Sequence, residues 1–429
     1  MKKLLSLVLA AMMLLSLASL AQADEPIKVT MWHTRGSGAN GEMVAASVAE
    51  FNATIGAEKG IVVEEAYQGN YVDSKSKIMT AIASKNMDLI PEIVVLERAA
   101  GVPDMAIEGQ LVDLTPYVEA SGLDMDNFLP ALLGFSYYED QLVALPYIRS
   151  TPVMYYNKTM ADAKNLTAPT TIEELVEFGK ALTVVDEATK ETVTYGFYMP
   201  NDPAWFIANM MWQMDSALFN DEGTSIPCLE DGCLEKALTA WRSWIDEGWC
   251  MVPPASGSIT EMFLQGKIAA RFESCGSMAN MINKAEFEVG VCPLPTWGTP
   301  CAPTGGGNLA ILKENPKESI DAAWEFLNFL MSDEQIAKNA VNTGYLASTK
   351  TSVETDIVKQ QWNEHPQFKV AFDQLETARE LPWCDFKADF EDQMKIICSE
   401  LVQSRTITAA EAVEKLKEAA QTIYMEYGI

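Results

Sequence analysis

Between Ile27 and Glu97 the spacing of apolar residues switches repeatedly between strand-like and helix-like periods. "IKVTMW" (27–32) and "IVVEEAY" (61–67) have strand character, whereas "GEMVAASVAEFNA" (41–53) gathers Met43, Val44, Ser47, Val48 and Phe51 on one helical face. "KSKIMTAIASK" (75–85) predicts a second helix, and "PEIVVLE" (91–97) a short, continuously apolar strand. Strands alternating with helices predict an α/β fold with a mainly parallel sheet. Glu97 then stands at the carboxyl end of a strand, the edge at which open α/β sheets bind ligands.

Further along, "LPYIRSTPVMYYNK" (145–158) is an apolar, tyrosine-bearing strand entered through Arg149 and the hydroxyl pair Ser150 and Thr151. "PTTIEELVEFGKAL" (169–182) places Thr171 as N-cap with Glu174 three residues on, and "TITAAEAVEKLKEAAQTIY" (406–424) repeats that capping box with Thr408 and Glu411. "KESIDAAWEFLNFLM" (317–331) carries Ile320, Trp324, Leu327 and Leu330 along one stripe of a helix. "PTGGGNLAIL" (303–312) is a glycine hinge running into a strand. The Trp- and Met-rich segment from Trp205 to Met251 reads as core.

The N-terminus changes what has to be folded. Lys2 and Lys3 precede an apolar run to Leu20 and the small-residue site Ala21-Gln22-Ala23, so residues 1–23 read as a secretory signal peptide cleaved after Ala23. No cysteine stands directly after Ala23, so a lipidated N-terminus is not expected and a soluble, exported, periplasmic protein is. With 60 acidic against 31 basic residues among 429, nucleic acid and anionic membrane surfaces are poor partners. Eight cysteines in an exported chain predict disulfides. Cys228/Cys233, Cys292/Cys301 and Cys384/Cys398 would close short loops, leaving Cys250 and Cys275 as a fourth pair.

No enzyme signature survives inspection. "ESCGSMAN" (273–280) lacks the nucleophile elbow, and His33 and His365 are the only histidines. The triple glycine is not a phosphate loop, because no Gly-Lys-Ser/Thr follows. Without C-x-x-C spacing there is no zinc site, and neither a metal nor a cofactor is expected. What remains is a set of polar and aromatic residues at probable strand ends: Trp32, His33, Tyr71, Glu97, Ser150, Ser274, Gly306 and Tyr345. Hydroxyl and carboxylate groups beside aromatic faces suit a polyol or a sugar, and this is binding chemistry.

"MWHT", "QGNYVDSKSKIMTAIAS", "IVVLE", "STPVMYYNK", "GKIAARFESCGSMANM", "PTGGGNLAIL" and "NTGYLAST" follow one another along the chain. Together they resemble the periplasmic solute-binding proteins that feed ABC importers, and most nearly their glycerol-3-phosphate branch. The resemblance implies a monomeric two-lobe α/β fold, each lobe a mainly parallel sheet flanked by helices, with three hinge crossings near 146–150, 305–307 and 345–348. It implies one discontinuous lobe from 24–148 and 308–345 and another from 149–307 and 346–429. The lobes would close on a small-molecule ligand and deliver it to the permease subunits.

Carried over position by position, the ligand contacts implied by the resemblance are Tyr71, Glu97, Ser150, Ser274 or Ser277, Gly306 and Tyr345, with Trp205 walling the cleft. One departure bears on the ligand. The branch places a phosphate-binding arginine in the C-terminal segment, where this chain reads "PWCDFKADFEDQ" with Phe386 at about that position. A phosphate buried without a cation is costly. Either another cation replaces the missing one, with Lys387 and Arg149 as the candidates, or the ligand is not a phosphate monoester. The ligand is expected to be glycerol 3-phosphate or a diester such as glycerophosphocholine, with a neutral sugar as the alternative. A secreted polyol hydrolase is a remote alternative.

Overall fold

The computed structural model describes residues 25–36, 38–97, 101–254 and 258–429. The expected signal peptide at 1–23 lies outside the described residues. The principal strands are β1 (Ile27–His33), β2 (Ile61–Tyr67), β3 (Ile93–Glu97), β4 (Leu145–Ser150), β5 (Pro152–Asn157), β6 (Ala270–Ser274), β7 (Val289–Cys292) and β8 (Gly305–Ile311). The helices that matter for the site are α1 (Ala39–Ala53), α2 (Tyr71–Ser84), α3 (Ile172–Leu182), α4 (Met278–Lys284), α5 (Lys317–Leu330), α6 (Lys387–Ser399) and α7 (Ala409–Tyr427).

The first lobe is built on a five-stranded sheet in the order β2-β1-β3-β8-β4. β1 runs parallel to β2 and β3, as the alternation of strands and helices predicts, and β8 is antiparallel to β3 and β4. Each face of this sheet is covered. Val29, Met31, Ile93 and Val95 pack with Val48 and Phe51 of α1 and with Phe326 and Leu327 of α5, while Val94 and Leu96 pack with Ile78 and Ala81 of α2. Alternate residues of β3 thus serve opposite cores, which is why the strand reads as one apolar run. Burying each such aliphatic or aromatic side chain stabilises the fold by about 1.5–3 kcal/mol.

The second lobe departs from the expected mainly parallel sheet, because its principal sheet, β6-β5-β7, is antiparallel at both pairings. The reason is the hinge. β5 leaves the first lobe, whereas β6 and β7, connected through α4, both run the other way on either side of it. The same holds in the first lobe, where β8, returning from the second, is the antiparallel strand. The Trp- and Met-rich segment is core as expected, with Met210, Met211, Trp241, Trp244 and Trp249 in one cluster with Phe386 and Phe390. Both predicted capping boxes form, at the start of α3 and of α7.

The cysteines stand as free thiols, and the expected disulfides are absent from this structure. Six of them, Cys228, Cys250, Cys275, Cys292, Cys301 and Cys398, are closed into the interior, where they pack as small apolar groups. Burial pushes the Cys301 thiol up to about 11 and that of Cys398 up to about 12. No described helix is long and apolar enough to cross a membrane.

At the hinge, Arg149 turns away from the lobes' facing surfaces. It is 1% exposed, its Nη2 donates to Glu380 Oε1 at 2.9 Å, and its Nη1 donates to Asn308 at 3.5 Å. The Glu380 carboxylate also accepts from Thr304 Oγ1 at 2.9 Å and from the Gly134 amide at 3.1 Å. Nearby, Trp383 packs on Phe135 with ring centroids 5.2 Å apart. A C-terminal segment is thereby strapped across the hinge strands to a loop of the first lobe. In β8 the backbone of Gly306 has φ 90°, and a Cβ there would overlap the carbonyl oxygen of Ile148. Only glycine fits that pairing without strain.

Two outcomes follow for stability. Arg149→Ala leaves the Glu380 carboxylate without its guanidinium partner and should lower the unfolding free energy by about 3 kcal/mol, read from the urea midpoint. Gly306→Ala should cost about 1–3 kcal/mol by the same measurement, through φ strain and displacement of β4. A midpoint unchanged by either substitution would contradict the hinge geometry.

Candidate ligand-binding cleft

The strand register brings the carboxyl end of β3, the end of β4 and the start of β8 to one place. Gly307 pairs with Glu97, and Gly305 pairs with Ser150. Successive residues of a strand face opposite sides, so Ser150 reaches the space between the lobes while Arg149 reaches the strap behind it. Tyr71 is the first residue of α2, fixed there because the Asn70 side chain accepts from the Asp73 amide at 2.9 Å.

The facing wall comes from the second lobe. Ser274 ends β6, its Oγ accepts from the Gly276 amide at 3.2 Å, and Tyr155 Oη donates to its carbonyl at 2.8 Å. Trp205 lies on a wide, π-helical turn that Asp202 caps by accepting from the Trp205 amide at 3.3 Å. The Trp205 indole rests on Gly305, where a Cβ would collide with it.

A cleft of about 670 Å³ opens between these walls, a volume that suits a small solute. Tyr71, Glu97, Ser150, Trp205, Ser274, Ser277, Gly306 and Tyr345 all line it. Three expected residues do not. Trp32 faces the other side of β1 from its neighbours and lines a separate groove of about 480 Å³ with Ala81, Leu89 and Ile90. His33 is buried at 2% exposure, and its Nε2 lies 2.6 Å from Glu65 Oε2. Arg149 is committed to the hinge strap, as described above.

Neither replacement cation predicted from sequence lines the cleft. Lys387 is buried with its ammonium 5.1 Å from the centre of the Phe135 ring, a cation–π contact. Phe386, near the expected arginine position, is 0% exposed and packs against Phe219 and Tyr424. The cations that do line the cleft are Arg35, Arg271 and Lys395, facing the carboxylates Glu97, Asp202, Glu273 and Glu391. Sequence reasoning missed Arg35 and Arg271. The one readable signal was the spacing of Arg271 and Glu273, which shares a strand face.

Arg271 is buried, pairs with Glu273, and donates to Thr260 Oγ1 at 3.1 Å. Desolvation holds the Tyr71 phenol above its ordinary value against the opposing field of Arg35, and it pushes Tyr198 up to about 12. Both tyrosines therefore present neutral hydroxyls to the cleft at physiological pH. Among the described residues no group of side chains is placed to hold a metal ion, and no histidine lines the cleft. The lining offers hydroxyls, carboxylates, guanidinium groups and aromatic faces without a nucleophile–base pair.

The family described as bacterial extracellular solute-binding protein matches residues 46–370. The sn-glycerol-3-phosphate-binding periplasmic protein UgpB of Escherichia coli K12 is 24% identical over 419 residues, covering 92% of this chain and 91% of its own. UgpB of Mycobacterium tuberculosis, solved in complex with glycerophosphocholine, superposes with a TM-score of 0.82 at 22% identity, covering 95% of this chain and all of that one. The maltose/maltodextrin-binding domain of Bdellovibrio bacteriovorus bound to maltotriose superposes with a TM-score of 0.79 at 19% identity, covering 92% of this chain and 99% of that one. With a family match over most of its length and a ligand cleft between two α/β lobes, the chain belongs to the bacterial extracellular solute-binding proteins.

Proposed function

We propose that this protein is a monomeric, periplasmic receptor that captures a small glycerol-phosphate compound and hands it to an ABC permease. The ligand is glycerol 3-phosphate or a glycerophosphodiester such as glycerophosphocholine, and the diester is the better fit. The lobes are taken as 24–148 with 308–345, and 149–307 with 346–429. The observation that carries the reading is the convergence of Tyr71, Glu97, Ser150, Ser274, Ser277, Gly306 and Tyr345 on one cavity that guanidinium groups enter from both walls.

Charge supports the diester over the monoester. Glu97, Asp202, Glu273 and Glu391 make the cleft a costly place for a dianion. A phosphodiester carries one negative charge, and a cationic head beside Trp205, Tyr198 and Asp202 would gain from aromatic faces and a carboxylate. The glycerophosphocholine complex of the mycobacterial relative supports this choice. A neutral sugar or oligosaccharide is the second reading, favoured by the same aromatic wall and by the maltotriose complex of the Bdellovibrio relative.

Titration of the purified protein, followed by tryptophan fluorescence, should saturate with glycerophosphocholine and respond more weakly to glycerol 3-phosphate. Neither compound should be consumed when the mixture is monitored by NMR. Saturation by maltotriose with no response to either phosphate compound would overturn the reading in favour of a sugar. Turnover of any of these compounds would overturn it in favour of an enzyme.

A further inference from the structure

Arg35 leaves β1 in a direction that the sheet itself fixes. Its amide donates to His33 Nδ1 at 3.1 Å. An accepting Nδ1 places the His33 proton on Nε2, which then donates to Glu65 Oε2 at 2.6 Å. Glu65 lies on β2, so two adjacent strands determine where the arginine begins.

From there the side chain enters the cleft. Its guanidinium donates to the Tyr345 hydroxyl and to Thr34 Oγ1, the latter at 2.8 Å. The guanidinium carbon lies 5.4 Å from the ring centre of Tyr71 and 5.6 Å from that of Tyr345. Its partners are neutral hydroxyls and ring faces, and its buried Nε has no acceptor among the described residues.

The other cleft cations differ. Arg271 is balanced by Glu273, and Lys395, at the exposed rim, by Asp392 at 3.7 Å. Among the described residues no carboxylate forms an ion pair with Arg35, which sets it apart from the other two cleft cations.

We propose that Arg35 is the specificity-determining residue of the cleft, contacting an ionised phosphate oxygen and selecting a singly charged phosphodiester. This rests on the glycerol-phosphate reading given above. It supplies, from the loop after β1, the charge that Phe386 does not supply from the C-terminal segment. One guanidinium neutralises one ionised oxygen. The second charge of a phosphomonoester dianion would remain uncompensated beside Glu97 and Asp202.

Calorimetric titration of the whole protein and its Arg35→Gln and Arg35→Lys variants, with glycerophosphocholine, glycerol 3-phosphate and maltotriose, tests this. The wild type should prefer the diester. Arg35→Gln should weaken diester binding about 10- to 100-fold, the loss expected of a charge-assisted hydrogen bond. The same variant should flatten the salt dependence of binding. Arg35→Lys should recover part of the affinity by restoring charge without the planar fork.

Unchanged diester affinity in a folded Arg35→Gln protein would overturn the role of Arg35 and leave the proposed ligand class standing. Equal losses in both variants, with a lowered melting temperature, would assign Arg35 a structural role and also overturn it. A wild type that binds maltotriose and no phosphate compound, or that binds none of the three, would overturn both the ligand class and the role of Arg35.

Discussion

The cleft depends on one insertion, the strand Gly305–Ile311 returning from the second lobe and pairing antiparallel between Ile93–Glu97 and Leu145–Ser150. Its register aligns Glu97, Ser150 and the glycines at a single edge. The bulge between Gly307 and Asn308 and the positive φ of Gly306 absorb the change of direction there. Polar residues far apart in sequence become cleft neighbours for this reason. Behind the same edge, the ion pair of Arg149 with Glu380 is buried on the arginine side, so the hinge strands are held from the face opposite the ligand. Removing one partner of such a pair leaves the other charge uncompensated, so the pair fixes where the C-terminal segment meets the hinge strands.

Much of the fold was legible because local periodicity and global packing agree. The first strands and helices between Ile27 and Glu97, the two capping boxes and the glycine hinge are all local signals, and they sit where the spacing predicts. The antiparallel sheet of the second lobe was not legible, since strand direction there follows from the number of hinge crossings and leaves no mark on periodicity. The same limit explains Arg149 and Trp32. Whether a strand residue faces the cleft is decided by the pleat, and a shift of one residue exchanges Ser150 for Arg149, while Met31 and Trp32 lie on opposite faces of β1, neither of them in the cleft. The cysteines misled for another reason. Their number suggested cross-links, whereas the packing treats most of them as small apolar side chains. Arg35 was invisible because it lies in a loop with no period, and its direction depends on Glu65, whose strand pairs beside His33.

The two arginines near the hinge divide two tasks between its faces. The carbonyl of Arg149 accepts from the Leu346 amide at 2.9 Å, which ties the third crossing to the first. Tyr345, the preceding residue, takes the Arg35 guanidinium on the cleft side. Asn40, in the first turn of α1, donates its side-chain amide across the cleft to the Gly276 carbonyl at 3.1 Å, next to Ser274 and Ser277. Asn40 lines the same cleft as Arg35, so an anion held by Arg35 would share the cleft with a contact between its two walls. A ligand shifts an open–closed equilibrium only by its difference in affinity for the two states. With Arg35 on the first lobe and Arg271, Ser274 and Ser277 on the second, a phosphodiester would gain its full set of contacts only on closure. On the proposed reading, contact between Arg35 and the ligand would be coupled to the approach of the two lobes.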